Sequence, residues 1–331
     1  MTGQEPHGPS VFSHQRMPTS KYKIAYLFPG QGSQSIGMGQ QLAADSPLAE
    51  NTFQEADHSL GFALSKVAWQ GPQETLDDTI NTQPALLVHS IATLRVLQDQ
   101  FPNLQPAAVA GHSMGELSAL IACGSLTFSE GLQLVRRRGE LMKEAGEKSP
   151  GGMAAILGLD ILSLDEICSS ASQGSEIVQI ANDNCPGQVV ISGSTPALER
   201  AMISAKDAGA RRVVRLAVSI AAHSPLMVYA QDQFTIAVSS SNIIEPTIPI
   251  IGNVNARPLL SVAEIQTDLQ SQLNSRVRWT ETIQYLLSIG VTTFIEIGNN
   301  SVLTGLLKRI DRTVHGYSIG TSEDFNKISA L

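Results

Sequence analysis

Gly111-His112-Ser113-Met114-Gly115 stands between an apolar run, Ala107-Ala108-Val109-Ala110, and a stretch of helical composition from Glu116 to Cys123 that stops at Gly124. The predicted order is strand, tight turn, helix, with a serine at the apex. In a G-x-S-x-G turn the chain bends too sharply for a Cβ on either side, so glycines flank the serine motif and the Ser113 hydroxyl stands clear of the backbone. The helix that follows points its first amides at the same spot, which places the Met114 N–H to stabilise an oxyanion beside a nucleophile. The pattern also suits an ordinary strand-to-helix turn, and by itself it does not say what is attacked.

The chain has 331 residues, of which 42% are hydrophobic and 16% charged, enough for a large core and two domains. A net charge of −8, with basic residues only in pairs and one triplet, excludes nucleic-acid binding driven by phosphate neutralisation. Cys123, Cys168 and Cys185 lack metal-ligand spacing and read as reduced thiols of a cytosolic protein, with no metal. No apolar run has the length to span a bilayer. Residues 1–20 are polar and rich in proline, glycine and serine, and read as a disordered extension.

Upstream of the serine turn, Lys21 to Phe28 reads as a buried strand that ends in Pro29-Gly30-Gln31-Gly32-Ser33-Gln34, with a helix from near Met38. Ser35 stands where a dinucleotide loop needs glycine and Met38 where a phosphate loop needs lysine, which leaves either a plain turn or a loop of free N–H groups suited to an oxyanion. Ser46-Pro47 starts a helix towards Gly61, and Gln83-Pro84 opens another. Within the helix expected over Ser129 to Ala145, Arg138 falls on the apolar stripe of Leu134, Val135, Leu141 and Met142. A core-facing guanidinium needs a partner, supplied by a protein carboxylate or by a ligand carboxylate. Gly139 beside it predicts close packing at that point.

From Gly151 the pattern changes to βαββαβ. Met153–Leu159, Glu176–Ala181, Gln188–Ser192 and Arg212–Val218 read as strands; one helix opens on a capping box at Ser163 to Glu166 and another runs from Thr195-Pro196 to Gly209. This order predicts a ferredoxin-like subdomain over residues 151–218. His223 follows, just ahead of a helix started by Ser224-Pro225. His7 and His14 lie in the extension, His58, His89 and His315 lie on ordinary helix or strand patterns, and His112 is too close to the serine in a tight turn; by elimination His223 is the base. Further strands are expected at Thr247–Ile251 and Thr293–Ile297, each followed by Gly-Asn.

Phe28 to Gln34, Gly111 to Glu116, Arg138-Gly139, Asn184 to Ser192, His223 to Met227 and Gln272 through Val277-Arg278-Trp279 together resemble the malonyl-CoA:acyl-carrier-protein transacylases, in family order over about residues 21 to 320. The resemblance implies an α/β-hydrolase-like core (21–150 and 219–320) holding the ferredoxin-like subdomain, a C-terminal tail at 321–331, and a site in the cleft between the two parts. Carried over position by position, it implies Ser113 as nucleophile, His223 as base, and a backbone carbonyl of Gln272 orienting the imidazole in place of a carboxylate. It further implies an oxyanion hole from the Gln31 and Met114 amides, and Arg138 as the holder of the malonyl carboxylate. The reaction implied is malonyl transfer from the coenzyme A thioester to acyl carrier protein, supplying fatty-acid or polyketide synthesis, by a cytoplasmic monomer with no permanently bound cofactor. A serine hydrolase of acyl thioesters, an acyltransferase that also takes methylmalonyl, and a silent carrier-binding scaffold are the alternatives. The carrier is acidic in this family, which points to Lys206, Arg211, Arg212, Lys308 and Arg309 as a basic docking surface. Departures from the family pattern are Ala222 in place of serine or an aromatic residue, Arg276 in place of proline, and Asn299-Asn300 in place of Pro-Gly.

Overall fold

A computed structural model describes residues 23–331; the expected disordered extension at 1–20 lies outside the described residues. Ten strands follow in chain order: β1 (Ile24–Phe28), β2 (Ala108–Gly111), β3 (Gly151–Leu157), β4 (Val178–Cys185), β5 (Gln188–Ser194), β6 (Arg212–Arg215), β7 (Ile250–Ile251), β8 (Pro258–Leu259), β9 (Thr293–Ile297) and β10 (His315–Ile319). They form two sheets in a mixed α/β architecture, a six-stranded one ordered β10-β9-β1-β2-β7-β8 and a four-stranded one ordered β4-β5-β3-β6.

In the larger sheet every neighbouring pair is parallel except β7 with β8. Its central strands are buried on both faces, which is why β1 and β2 are nearly continuous apolar runs. Alternate residues serve opposite cores. Tyr26, Phe28 and Val109 pack with helices Thr79–Gln100 and Phe128–Lys148, while Ala25, Leu27, Ala108 and Ala110 pack with helices Trp279–Ser288 and Val302–Ile310. The smaller sheet is antiparallel throughout. One of its faces joins Leu164, Cys168, Leu198 and Ala201 of helices Ile161–Ala171 and Thr195–Asp207 in a third core, and the opposite face carries Met153, Ala181 and Val190.

Several elements differ from their expected bounds for identifiable reasons. The helix expected to open at Gln83-Pro84 starts at Thr79, with the Asp78 carboxylate accepting from the Ile80 N–H, so Pro84 lies inside it. Proline there lacks the N–H that would pair with the Ile80 carbonyl, and Arg136 supplies the missing donor through Nη1 at 2.8 Å. The helix expected to be capped by Ser163 begins at Ile161, because Asp160 accepts from the Ser163 N–H at 3.0 Å and a carboxylate suits the positive end of the helix. β4 continues to Cys185 through two register shifts, leaving only Pro186-Gly187 as the turn, while β6 stops at Arg215 and the strand expected over Thr247–Ile251 is regular only at Ile250–Ile251. Residues 321–331, expected as a tail, pack onto the core: Phe325 is buried with its ring stacked on Phe101 at 6.5 Å, and Ile328 is buried. Among the described residues no helix is long and apolar enough to cross a membrane.

Helix Phe128–Lys148 crosses helix Thr79–Gln100 at Gly139, where an added Cβ would lie 2.8 Å from the Thr79 carbonyl oxygen and 3.1 Å from the Ile80 Cα. Alanine would gain about 1 kcal/mol in helix propensity but must push apart two backbones. Gly139→Ala is expected to lose roughly 1–3 kcal/mol net in urea unfolding; an equal or higher stability would show that the two helices are not in backbone contact.

Candidate active site

The Ser113 turn is as sharp as its glycines require. A Cβ on Gly111 would collide with the Gly115 carbonyl, and one on Gly115 would collide with the Phe28 carbonyl of the neighbouring strand. Ser113 itself takes φ +53°, a left-handed conformation that costs a non-glycine residue about 1–3 kcal/mol. Asn253 holds it there: its Oδ1 accepts from the Ser113 N–H and its Nδ2 donates to the Gly111 carbonyl, both at 2.8 Å.

His223, 110 residues away in sequence, places Nε2 2.8 Å from Ser113 Oγ. It too is left-handed, at φ +58°. Its Nδ1 lies 2.9 Å from the Gln272 carbonyl and 3.1 Å from the Ser275 carbonyl. Two carbonyl oxygens can only accept, so the proton resides on Nδ1 and the Nε2 lone pair faces the serine hydroxyl. Burial first, and then the charge of Arg138, push the imidazole pKa down to about 3. The imidazole is therefore neutral, and able to accept a proton, across the whole physiological range.

Arg138 is buried at 1% exposure. Its Nη2 donates to Ser113 Oγ at 3.1 Å and to Gln272 Oε1 at 3.0 Å, its Nε reaches the same Gln272 oxygen at 3.2 Å, and its Nη1 donates to Gln83 Oε1 at 2.7 Å. Among the described residues no carboxylate forms an ion pair with it. Burial lowers its pKa to about 10, which still leaves it charged at neutral pH. A Gln83–Thr79–Gln31 relay, with Gln83 Nε2 donating to Thr79 Oγ1 at 2.8 Å and that hydroxyl donating to Gln31 Oε1 at 3.0 Å, ties the guanidinium to the glycine-rich loop.

That loop lies against the serine turn: a Cβ on Gly30 would sit 2.5 Å from the His112 carbonyl oxygen. Neither the Gln31 nor the Met114 N–H donates to a protein acceptor among the described residues. Asn299 Nδ2 at 2.6 Å and Asn300 Nδ2 at 2.8 Å hold the Ser33 carbonyl, so the pair that replaces Pro-Gly buttresses the loop from behind. His112 turns away from the serine, with Nε2 2.8 Å from Asn184 Oδ1 and its ring edge-on to Trp279 at 5.4 Å. Ala222 is half-buried where two of the apolar cores meet. Arg276 turns outward to Glu281 at 3.0 Å.

The structure thus gathers Ser113, His223, Arg138, Gln272, Gln31 and Met114 in one place. Asn253, Gln83, Glu116 and Asp268 are the neighbours that the sequence pointed to only faintly or not at all. Asn253 stood in a noted Gly-Asn step, Glu116 closed a quoted motif, and Gln83 preceded a proline; Asp268, in a helix interior, gave no signal.

An acyl transferase domain family matches residues 25–321. The chain is 43% identical over 306 residues to the malonyl CoA-acyl carrier protein transacylase of Haemophilus influenzae, covering 92% of this chain and 98% of that protein. It is 44% identical over 301 residues to the Bacillus subtilis protein of the same name, covering 91% and 94%. Among solved structures, a malonyl-transacylase in complex with the holo acyl-carrier protein of a type II polyketide synthase superposes with a TM-score of 0.89 at 42% identity, covering 92% of this chain and 98% of that one. The malonyl CoA-acyl carrier protein transacylase of Coxiella burnetii gives a TM-score of 0.90 at 39% identity, covering 93% and 96%.

The unfolded chain takes a proton at His223 below the ordinary value of 6.5, whereas the folded one resists until about 3. This group's contribution to stability is therefore present above 6.5 and falls as pH drops below it. In imidazole nitrogen NMR of the free protein, His223 is expected to keep the neutral Nδ1–H pattern from about pH 8 down to about pH 5; a titration midpoint above about 6 would contradict the burial argument.

Proposed function

The chain belongs to the acyl transferase domain family and, within it, to the malonyl-CoA:acyl-carrier-protein transacylases, and on that footing we propose that it moves malonyl groups from coenzyme A to the phosphopantetheine thiol of an acyl carrier protein through an ester on Ser113. The observation that carries the substrate assignment is Arg138, a buried cation that contacts the nucleophile and, among the described residues, no protein carboxylate. A simple acyl group gives such a cation nothing to bind, whereas the free carboxylate of a malonyl group gives it a bidentate partner.

In the proposed first half-reaction Ser113 Oγ attacks the thioester carbon while its proton passes to His223 Nε2. The Gln31 and Met114 N–H groups stabilise the oxyanion, each worth about 3–4 kcal/mol in comparable sites. The tetrahedral intermediate collapses with cleavage of the C–S bond, and the imidazolium returns the proton to the coenzyme A sulfur. In the second half-reaction the carrier thiol gives its proton to His223 and attacks the ester, and the proton then returns to Ser113 Oγ. The Gln272 and Ser275 carbonyls keep the ring in register and stabilise the imidazolium in both halves, the task a carboxylate performs in a triad. The kinetics are ping-pong.

On this reading the larger sheet, over 21–150 and 219–320, is an α/β-hydrolase-like core. The βαββαβ unit at 151–218, with its β4-β5-β3-β6 order, is a ferredoxin-like subdomain. The site lies in the seam between them, a place where an acyl chain and a carrier can enter together. Lys206, Arg211, Arg212, Lys308 and Arg309 are all exposed, and Arg309 reaches the Pro186-Gly187 turn, gathering positive charge where an acidic carrier would approach.

With radiolabelled malonyl-CoA, label is expected on Ser113 and then on added carrier protein; release as free malonate would instead indicate a hydrolase. A charge-assisted hydrogen bond is worth about 1.5–3 kcal/mol, so Arg138→Ala is expected to lower the preference for malonyl over acetyl by roughly tenfold to a hundredfold. Unchanged selectivity would remove the basis for the diacid assignment. Transfer to carrier, but not acylation by malonyl-CoA at saturation, is expected to slow as salt is raised.

A further inference from the structure

Beyond Gln272, on the far side from Arg138, lie two carboxyl groups to which the acyl-transfer scheme gives no task. Glu116 is fully buried and Asp268 is 3% exposed. One oxygen of each has a donor: Glu116 Oε2 accepts from Gln272 Nε2 at 2.6 Å, and Asp268 Oδ1 accepts from the Val254 N–H at 3.2 Å. The other two, Glu116 Oε1 and Asp268 Oδ2, are buried without a donor among the described residues. Asp268 lies one turn before Gln272 on helix Val262–Gln272, and Glu116 touches Gln272, so the two carboxyls are neighbours in one buried spot; burial and the Asp268 carboxyl beside it hold Glu116 well above the usual carboxylate range. Two ionised carboxylates in contact in the interior would repel, and two bare oxygens would each be left unsatisfied; one proton between them removes both problems. Among the described residues the cation facing the pair is Arg138, separated from it by the Gln272 amide.

We propose that Glu116 and Asp268 share one proton, and that Glu116, acting through Gln272, positions Arg138 and so sets the selectivity of the site for a carboxylate-bearing acyl group. A glutamine amide has nearly the same shape in either orientation, so its neighbours decide which end faces where. With the shared proton held between the two carboxyls, the Glu116 oxygen facing Gln272 is always an acceptor. Gln272 Nε2 is drawn to it and to the Ser113 carbonyl at 3.2 Å, leaving Oε1 to face the guanidinium. The reversed amide would set N–H against N–H. Glu116 therefore supports the cation at one remove. A direct carboxylate contact would occupy the fork that the ligand needs, whereas the amide relay orients Nε and Nη2 and leaves the guanidinium charge unneutralised. The same pair braces the nucleophile, because Asp268 holds the N–H of Val254, the residue after Asn253, which pins Ser113.

The selectivity claim rests on the acyl-transfer reading, while the proton-sharing claim does not, and the full-length protein tests them separately. Infrared difference spectra at neutral pH, parent minus Glu116→Gln and parent minus Asp268→Asn, are expected to show one protonated-carboxyl C=O band in the parent that both substitutions remove; its absence from the parent overturns the shared proton. In steady-state transfer, Glu116→Ala is expected to lower the malonyl-to-acetyl ratio of kcat/KM by on the order of tenfold. Glu116→Gln still offers an oxygen to Gln272 and gives its N–H to Asp268, and is expected to recover the ratio to within about threefold of the parent. Should Glu116→Ala not fold, Glu116→Met fills the volume without an acceptor and is expected to lose the ratio in the same way. A folded Ala or Met variant with the parental ratio, or a Gln variant as unselective as Ala, overturns the positioning role. Failure of the parent to label at Ser113 would instead count against the acyl-transfer reading and leave the infrared result standing.

Discussion

A guanidinium with amide and hydroxyl oxygens for neighbours, and no carboxylate in contact among the described residues, is the constraint around which this interior is arranged. Removing such a charge from water costs several kcal/mol, and Arg138 recovers part of this through hydrogen bonds to Gln272, Gln83 and Ser113. Those bonds depend on how closely two helices approach. Gly139 lets helix Phe128–Lys148 rest on the backbone of helix Thr79–Gln100, which brings Gln83 to 2.7 Å of the cation. The site is organised by close packing as much as by polar chemistry.

Both members of the proposed dyad occupy left-handed backbone conformations, Ser113 at +53° and His223 at +58°. Strain of this kind persists only where surrounding bonds over-determine it. Asn253 holds the serine turn from two sides, and the carbonyls of Gln272 and Ser275 hold the imidazole. The glycine-rich loop is pinned in the same manner by Asn299 and Asn300. Asparagine recurs after strands of the larger sheet because a short amide can both donate to and accept from backbone at the point where a strand ends.

The two sheets are joined at the site itself. Gln179 of β4 donates to the His223 carbonyl at 2.8 Å and to the Asn274 carbonyl at 3.1 Å, and further along the same strand the Asp183 N–H meets the Val277 carbonyl at 3.0 Å. Asn184 completes the seam by holding His112. The smaller sheet thus supports the loop that carries the imidazole, and any shift of one sheet on the other would be felt at the Ser113–His223 hydrogen bond.

Much of this was local in origin and therefore legible in the residues. The glycines around Ser113, the apolar strands of the larger sheet, the βαββαβ order and the place of Arg138 on a buried stripe each follow from the sterics or periodicity of a short segment. The helix at Thr79 starts earlier than its residues suggest because a long-range partner compensates for a local defect, Arg136 donating to the carbonyl that Pro84 leaves free, whereas the helix at Ile161 starts early through a local cap from Asp160. The roles of Gln83, Asn253 and Asp268 could not be read at all, because each depends on a neighbour 55, 140 or 152 positions away, for which no local period exists. The sequence by itself determined which groups were available and which faces they would bury. Only the tertiary structure decided their convergence, since the distance between a hydroxyl, an imidazole and a guanidinium is set by how helices and sheets pack, and side-chain packing carries no signature in the order of residues.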